Sequence, residues 1–245
     1  MNGHRMEIAS LCRQLRLRNM ARNMDLVTAD DNESFLLELL RLETEQRQAG
    51  RRAMLVRKAG FHTLKTFDGY DANELKLPLG LDIEALKSCE FIKQARNLVL
   101  YGNVGTGKTH LATAIGNEAC LKGFRVRFFR TAALVNALSE ARRDNRLSSM
   151  LALLEKQDLL ICDEWGYVPL ERDGSQLLFQ MISDCYEKRS VIITTNLEFS
   201  KWTSVFYDAQ MTAALIDRLV HHGHLILFEG ESYRIRHSLI HNQLT

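Results

Sequence analysis

The chain has 245 residues, 46% of them hydrophobic and 25% charged, with a formal net charge of +2. Those values exclude wholesale disorder and leave room for one or two domains with a sizeable core. No apolar run approaches the roughly 20 residues that cross a bilayer, the first twenty residues hold no apolar signal-peptide stretch, and five scattered cysteines without a C-x-x-C pair fit a reducing cytoplasm better than a disulfide scaffold or zinc ribbon.

The small net charge hides an uneven distribution. Residues 98–245 carry 16 basic and 16 acidic groups, whereas residues 41–65 carry seven basic groups against two acidic ones, and residues 1–22 carry five against one. The positive field is therefore local and N-terminal.

In chain order, the first predicted element is a helix over about Met6–Met20, with Ile8, Leu11 and Leu15 at helical spacing. A second helix begins near Asp30, where Glu33 three residues on suggests a capping box, and extends toward Ala59. On a helical projection Phe35, Leu39, Leu42, Ala49, Ala53 and Val56 fall on one face, and Arg47, Arg51 and Lys58 nearly opposite. Gly50 would weaken this helix by about 1 kcal/mol relative to alanine. Arg52 and Lys65 extend the basic set, which suits phosphate contacts that give affinity without sequence readout. A solvated charged face would look the same.

Residues 61–80, with Gly69, Pro78 and Gly80, read as an extended connector, followed by a helix over about Ile83–Ala95. Five short, mainly aliphatic or aromatic runs then alternate with helical patterns: Leu98–Tyr101, Val126–Phe129, Leu159–Cys162, Val191–Thr194 and Leu225–Phe228. The intervening helices are expected near 108–121, 132–142, 147–156, 175–188 and 211–221. Such alternation predicts an α/β fold, a doubly wound parallel five-stranded sheet preceded by a small all-helical N-terminal domain. The expected organisation is a basic helical domain over 1–65 that is a candidate for DNA binding, a connector and helix over 66–97, and the α/β domain over 98–245.

Gly102-Asn103-Val104-Gly105-Thr106-Gly107-Lys108-Thr109 matches the P-loop pattern G-x-x-x-x-G-K-[ST] in full. The glycines permit a tight backbone path, and backbone N–H groups at the start of a helix converge on a phosphate. Lys108 supplies a cation for the β and γ phosphates, and the Thr109 hydroxyl can ligate Mg²⁺. The run before Gly102 reads as a strand and the run after Lys108 as a helix, the setting this loop requires. The expected ligands are ATP and Mg²⁺.

Leu159–Cys162 ends in Asp163 and Glu164. Ligands of a parallel sheet sit beyond the C-terminal strand ends, so both acids should lie near Lys108. Asp163 fits the Mg²⁺-associated acid, and Glu164 fits the base that polarises an attacking water. Val191–Thr194 ends in Thr195 and Asn196, whose neutral amide could hold that water or touch the γ-phosphate.

His221-His222-Gly223-His224 follows a predicted helix end, where histidines suit the dipole. No acid or cysteine stands at a ligand-like local spacing. Cys162, Trp165 and Trp202 read as packing residues.

This set of motifs resembles the AAA+ ATPases. Within them, Ala214-Leu215-Ile216-Asp217-Arg218-Leu219 is similar to the helix that carries the arginine finger in DnaC and IstB-like proteins. Glu231-Ser232-Tyr233-Arg234 is similar to the second sensor of that clade. The fullest resemblance is to the IstB-like ATP-binding helpers of insertion-sequence transposition. It covers most of the chain, through the arginine-rich N-terminal helices, Ala59-Gly60-Phe61, Leu64-Lys65-Thr66-Phe67-Asp68, the stretch from Asp163 to Leu170 and that from Thr194 to Trp202. His62 departs from the proline usual in the family.

The resemblance implies catalytic roles for Lys108, Glu164, Asn196, Arg218 and Arg234. It also implies an oligomer with ATP at subunit interfaces, in which Arg218 serves a neighbouring site. Implied partners are duplex DNA and a transposase, with no membrane. A DnaC-type helicase loader shares the core and is the alternative. A small-molecule P-loop kinase would leave the basic helices unexplained.

Overall fold

The computed structural model describes residues 3–167 and 171–233. Contacts divide the chain between Met54 and Leu55 into two compact units, with the boundary inside one long helix.

The first unit holds α1 (Gly3–Gln14), α2 (Arg18–Asn23) and most of α3 (Asn32–Ala59). The single helix expected over Met6–Met20 is two helices, because Arg16 takes a left-handed backbone conformation (φ 59°) and turns the chain. The start of α3 is also one residue later than expected. Asp31, not Asp30, accepts from the backbone N–H groups of Glu33 and Ser34 at 2.9 and 2.8 Å, satisfying donors that the first helical turn leaves free. Gly50 does not break α3. Cys12, Met20, Val27 and Leu39 form the small core of this unit. Ala49 and Ala53, expected on the apolar face, are exposed.

The second unit is built on a sheet. All five expected strands form: β2 (Asn97–Gly102), β3 (Val126–Arg130), β4 (Leu159–Trp165), β5 (Ser190–Thr195) and β6 (Gly223–Phe228). They pair in parallel in the order β6-β2-β5-β4-β3. The sheet nevertheless has six strands, not five. β1 (Leu75–Lys76) joins the β6 edge antiparallel, pairing Leu75 with Phe228 and Lys76 with Leu227. Two residues carry no periodicity that a sequence reading could detect.

Alternating side chains cover both faces of the inner strands β2, β4 and β5, which is why these read as nearly unbroken apolar runs. Leu98, Leu100, Phe128, Ile161 and Ile192 pack on one side with Leu111 and Ile115 of α6 (Lys108–Leu121) and with Leu55 and Ala59 at the end of α3. Leu160, Cys162, Val191 and Ile193 face the other side, against α7 (Thr131–Arg143), α8 (Leu147–Glu155), α9 (Arg172–Cys185) and, following the short α10 (Thr203–Phe206), α11 (Ala209–His221). The helix expected over Ile83–Ala95 is split into α4 (Ile83–Ser88) and α5 (Glu90–Lys93) by Cys89, whose φ of 59° ends the first piece. All five cysteines are free and buried, and burial raises the Cys162 thiol pKa well above its ordinary value. Trp165 and Trp202 are wholly buried, with ring centroids 5.5 Å apart, as packing residues should be. Among the described residues no helix is long and apolar enough to cross a membrane.

Candidate functional site

Strand β2 ends at Gly102 and α6 starts at Lys108, so residues 102–109 form a loop between a central strand and a helix N-terminus. Two glycines there are dictated by space. A Cβ on Gly102 would lie 2.4 Å from the Phe228 carbonyl oxygen, and one on Gly105 would lie 2.1 Å from the Ser232 hydroxyl oxygen. Ser232 and Tyr233 thus lie against the loop, and the Tyr233 N–H donates to the Gly105 carbonyl at 3.0 Å. Thr106 donates its hydroxyl to Asn103 O at 2.9 Å, closing the tip of the loop beside Val104. Lys108 is buried, with its ammonium 2.7 Å from Gly102 O and 2.5 Å from Asn103 O, so the cation is held inside the curve of the loop.

Asp163 and Glu164 stand next to this loop because of an irregularity. Across β4 and β5 the register pairs Cys162 with Ile193 and then Trp165 with Thr195, so Asp163 and Glu164 together oppose Thr194. Such a bulge re-aims side chains at a strand end, and Glu164 takes a φ of 60° within it. The two acids consequently diverge. Asp163 is buried and accepts from the Thr109 hydroxyl at 2.9 and 3.1 Å. Glu164 is partly exposed, 3.6 Å from the Arg130 guanidinium. The pairing of Thr109 with Asp163 puts a hydroxyl and a carboxylate together beside the Lys108 loop. Hard oxygen donors of this kind suit Mg²⁺, which keeps several waters and needs few protein ligands.

Four neighbours escaped the sequence reading. The Thr194 hydroxyl donates to Asp163 and accepts from the Glu164 N–H, so it sets both acids. Thr131 donates to the Asp163 carbonyl at 2.8 Å. Arg130 ends β3 and pairs in register with Asp163. A polar residue closing a buried parallel strand was the available signal for Thr194 and Arg130, since that edge is where ligands bind. Tyr70, in the connector, packs its ring 5.1 Å from His110 and lies over Gly107. Burial raises its phenol pKa above the ordinary value, with a smaller contribution from Asp71.

Asn196 lies just beyond the C-terminal end of β5 and is exposed, while Thr195 is buried and donates to the Trp165 carbonyl at 2.9 Å. Arg218 sits on α11, half-buried against α9. It donates to the Ser183 hydroxyl at 3.2 Å and lies 5.1 Å from the centre of the Phe179 ring. Arg234 lies outside the described residues.

The candidate DNA-contacting residues are all exposed, but not equivalent. Arg47 donates to Glu43 at 2.7 Å and to the Arg16 carbonyl at 2.5 Å, and Glu43 in turn accepts from the N–H groups of Asn19 and Met20. Part of its charge therefore serves the first unit's own packing. Arg51 and Arg52 belong to the first unit and Lys58 and Lys65 to the second.

A mostly parallel sheet with β2 among its inner strands, a P-loop directly after β2 and an acid pair on β4, two places away, define a P-loop domain of the AAA+ type. The AMPPCP-bound DnaA from Aquifex aeolicus superposes with a TM-score of 0.54 at 22% identity, over 73% of this chain and 54% of that one. The crystallised DnaC helicase loader superposes with a TM-score of 0.50 at 20% identity, over 66% of this chain and 96% of that one. In sequence, the model of the IstB-like ATP binding proteins matches residues 10–240, and the chain belongs to that family. It is 36% identical over 228 residues to the protein named for ATP binding in insertion sequence IS232 of Bacillus thuringiensis subsp. berliner, covering 91% of each chain.

Proposed function

We propose that this protein is an ATPase that assists insertion-sequence transposition, binding duplex DNA and ATP, self-associating with ATP at subunit interfaces and acting with a transposase on target DNA. The observation that carries the ATPase part is the contact of Thr109 with Asp163 beside the buried Lys108, a phosphate-and-cation cradle assembled from the start of α6 and the end of β4. Membership of the IstB-like family and the insertion-sequence relative support the transposition part. A helicase loader would share this core, but the sequence relationship favours transposition.

In this reading the loop N–H groups and the α6 N-terminus hold the phosphates, and the Lys108 ammonium turns from the Gly102 and Asn103 carbonyls to the β and γ oxygens. Thr109 and Asp163 would hold Mg²⁺, which when bound neutralises charge on the phosphates. The Glu164 carboxylate takes the proton of the attacking water, with Thr194 fixing its backbone and Arg130 restraining its side chain. Asn196, at the end of β5, steadies that water or the γ-phosphate. Arg218 of one subunit and Arg234 of the same or a neighbouring subunit meet the charge that develops on the transferred group.

Lys108→Ala is expected to abolish nucleotide binding without unfolding the protein. A fluorescent ATP analogue titrated against wild type and variant, with circular dichroism as the folding check, measures this directly.

For DNA, the informative substitutions are Arg51→Ala, Arg52→Ala and Lys58→Ala together, since Arg47 also holds Glu43. Affinity for duplexes of unrelated sequence should fall uniformly. The slope of log K against log salt should flatten by about 0.9 for each lost phosphate contact. Unchanged affinity and slope would assign these side chains to solvent or to a protein partner.

A further inference from the structure

The histidine run after α11 acquires in the fold what the local sequence lacks. Glu187, in the turn that follows α9, comes to the end of α11, where its carboxylate lies 2.8 Å from Nε2 of His222. One ligand atom from each of Glu187, His221 and His222 lies within 4.8 Å of the others. The two imidazole rings are 4.7 Å apart between centroids and nearly perpendicular, so they do not stack. Tyr186 places its hydroxyl 3.1 Å from Nδ1 of His221, the kind of outer contact that fixes the ring of a metal-ligating histidine.

We infer that Glu187, His221 and His222 form a binding site for a divalent transition metal of the Zn²⁺ class, bridging the turn after α9 to the C-terminus of α11. Two imidazoles and one carboxylate are a ligand set that Zn²⁺ takes with a water completing the coordination, at metal–ligand distances of about 2.0–2.2 Å. Ligands at those distances stand a little over 3 Å apart in a tetrahedron, so small rotations of exposed side chains close the site. Glu187 and His221 are exposed and His222 half-buried, which leaves the metal an entry path. Soft or borderline metals are favoured over Mg²⁺, because two of the three ligands are nitrogen.

The consequence is mechanical. Arg218 stands one helical turn before His222 and already touches Ser183 and Phe179 of α9. A metal at this site would tie the C-terminus of α11 to the turn after α9, a second link between the two helices just before β6 begins. The inference concerns metal binding alone and stands apart from any role of Arg218 in ATP hydrolysis.

The test uses the full chain. Zn²⁺ titrated calorimetrically should bind saturably at one equivalent, and Co²⁺ should give visible absorption bands of a site with nitrogen ligands. Zn²⁺ should also raise the melting temperature of the wild-type protein. Glu187→Gln and His222→Ala should each weaken Zn²⁺ binding by about tenfold or more and suppress the melting shift. Both should bind an ATP analogue as wild type does, which shows that the fold is intact. Glu187→Gln is an exposed, near-isosteric change, so folding does not confound it. Wild-type protein without saturable Zn²⁺ binding, or variants that bind Zn²⁺ as wild type does, would overturn the inference.

Discussion

Glu164→Gln is expected to bind ATP with native affinity and to hydrolyse it about 10²–10⁴-fold more slowly, the usual contribution of a positioned general base. The substitution keeps the side-chain size and removes only its basicity. Its backbone is held independently, because the Glu164 N–H donates to the Thr194 hydroxyl and not through its own carboxylate. Asp163 keeps its contacts with Thr109 and Thr194, so the cation-binding oxygens stay in place. The expected pattern is therefore a split between binding and turnover, read by analogue binding and by phosphate release. Lys108→Ala should lose both. A Glu164→Gln protein with native turnover would remove Glu164 from the chemistry and leave the exposed acid as a surface partner of Arg130.

Arg218→Ala should fold, bind ATP and lose roughly 10³-fold or more of its hydrolysis, as trans-acting arginines contribute elsewhere. The fold offers this arginine a competing local role, since it donates to Ser183 and lies over Phe179. Both contacts are partly solvated and worth about 1 kcal/mol or less, so losing them should not unfold the chain. Mixing separates the two roles. An Arg218→Ala subunit keeps its P-loop, and a Lys108→Ala subunit keeps its Arg218. In a co-assembled oligomer some junctions then unite an intact loop with an intact arginine, and activity returns in part. An arginine that only braces α11 against α9 cannot be rescued by a neighbour. Two variants that remain inactive together, in a mixture shown by sizing to co-assemble, would count against both the finger and an inter-subunit ATP site.

What the sequence by itself determined is local. The eight residues of the P-loop are contiguous, and their glycines answer to a backbone path that no side chain permits. The inner strands β2, β4 and β5 are legible because both of their faces are buried and each is a nearly continuous apolar run; β3 and β6 are partly exposed, and Arg127 interrupts the run of β3. The helices between the strands keep their own period. That much is enough to expect Lys108, Thr109, Asp163 and Glu164 together beyond the C-terminal ends of the parallel strands.

Only the tertiary structure decided how those residues differ. The bulge opposite Thr194 buries Asp163 and turns Glu164 outward, and a bulge is a property of two paired strands, invisible in either alone. β1 is two residues long and exists only because β6 offers it an edge. Arg47 looks like its basic neighbours in sequence, yet a buried Glu43 and the Arg16 carbonyl claim part of its hydrogen bonding. Glu187 is 35 residues from His222 and reaches it because α9 and α11 pack on the same sheet face. In each case the deciding interaction joins residues far apart in the chain. Local periodicity reports which face of an element is buried, but not which distant partner meets it there.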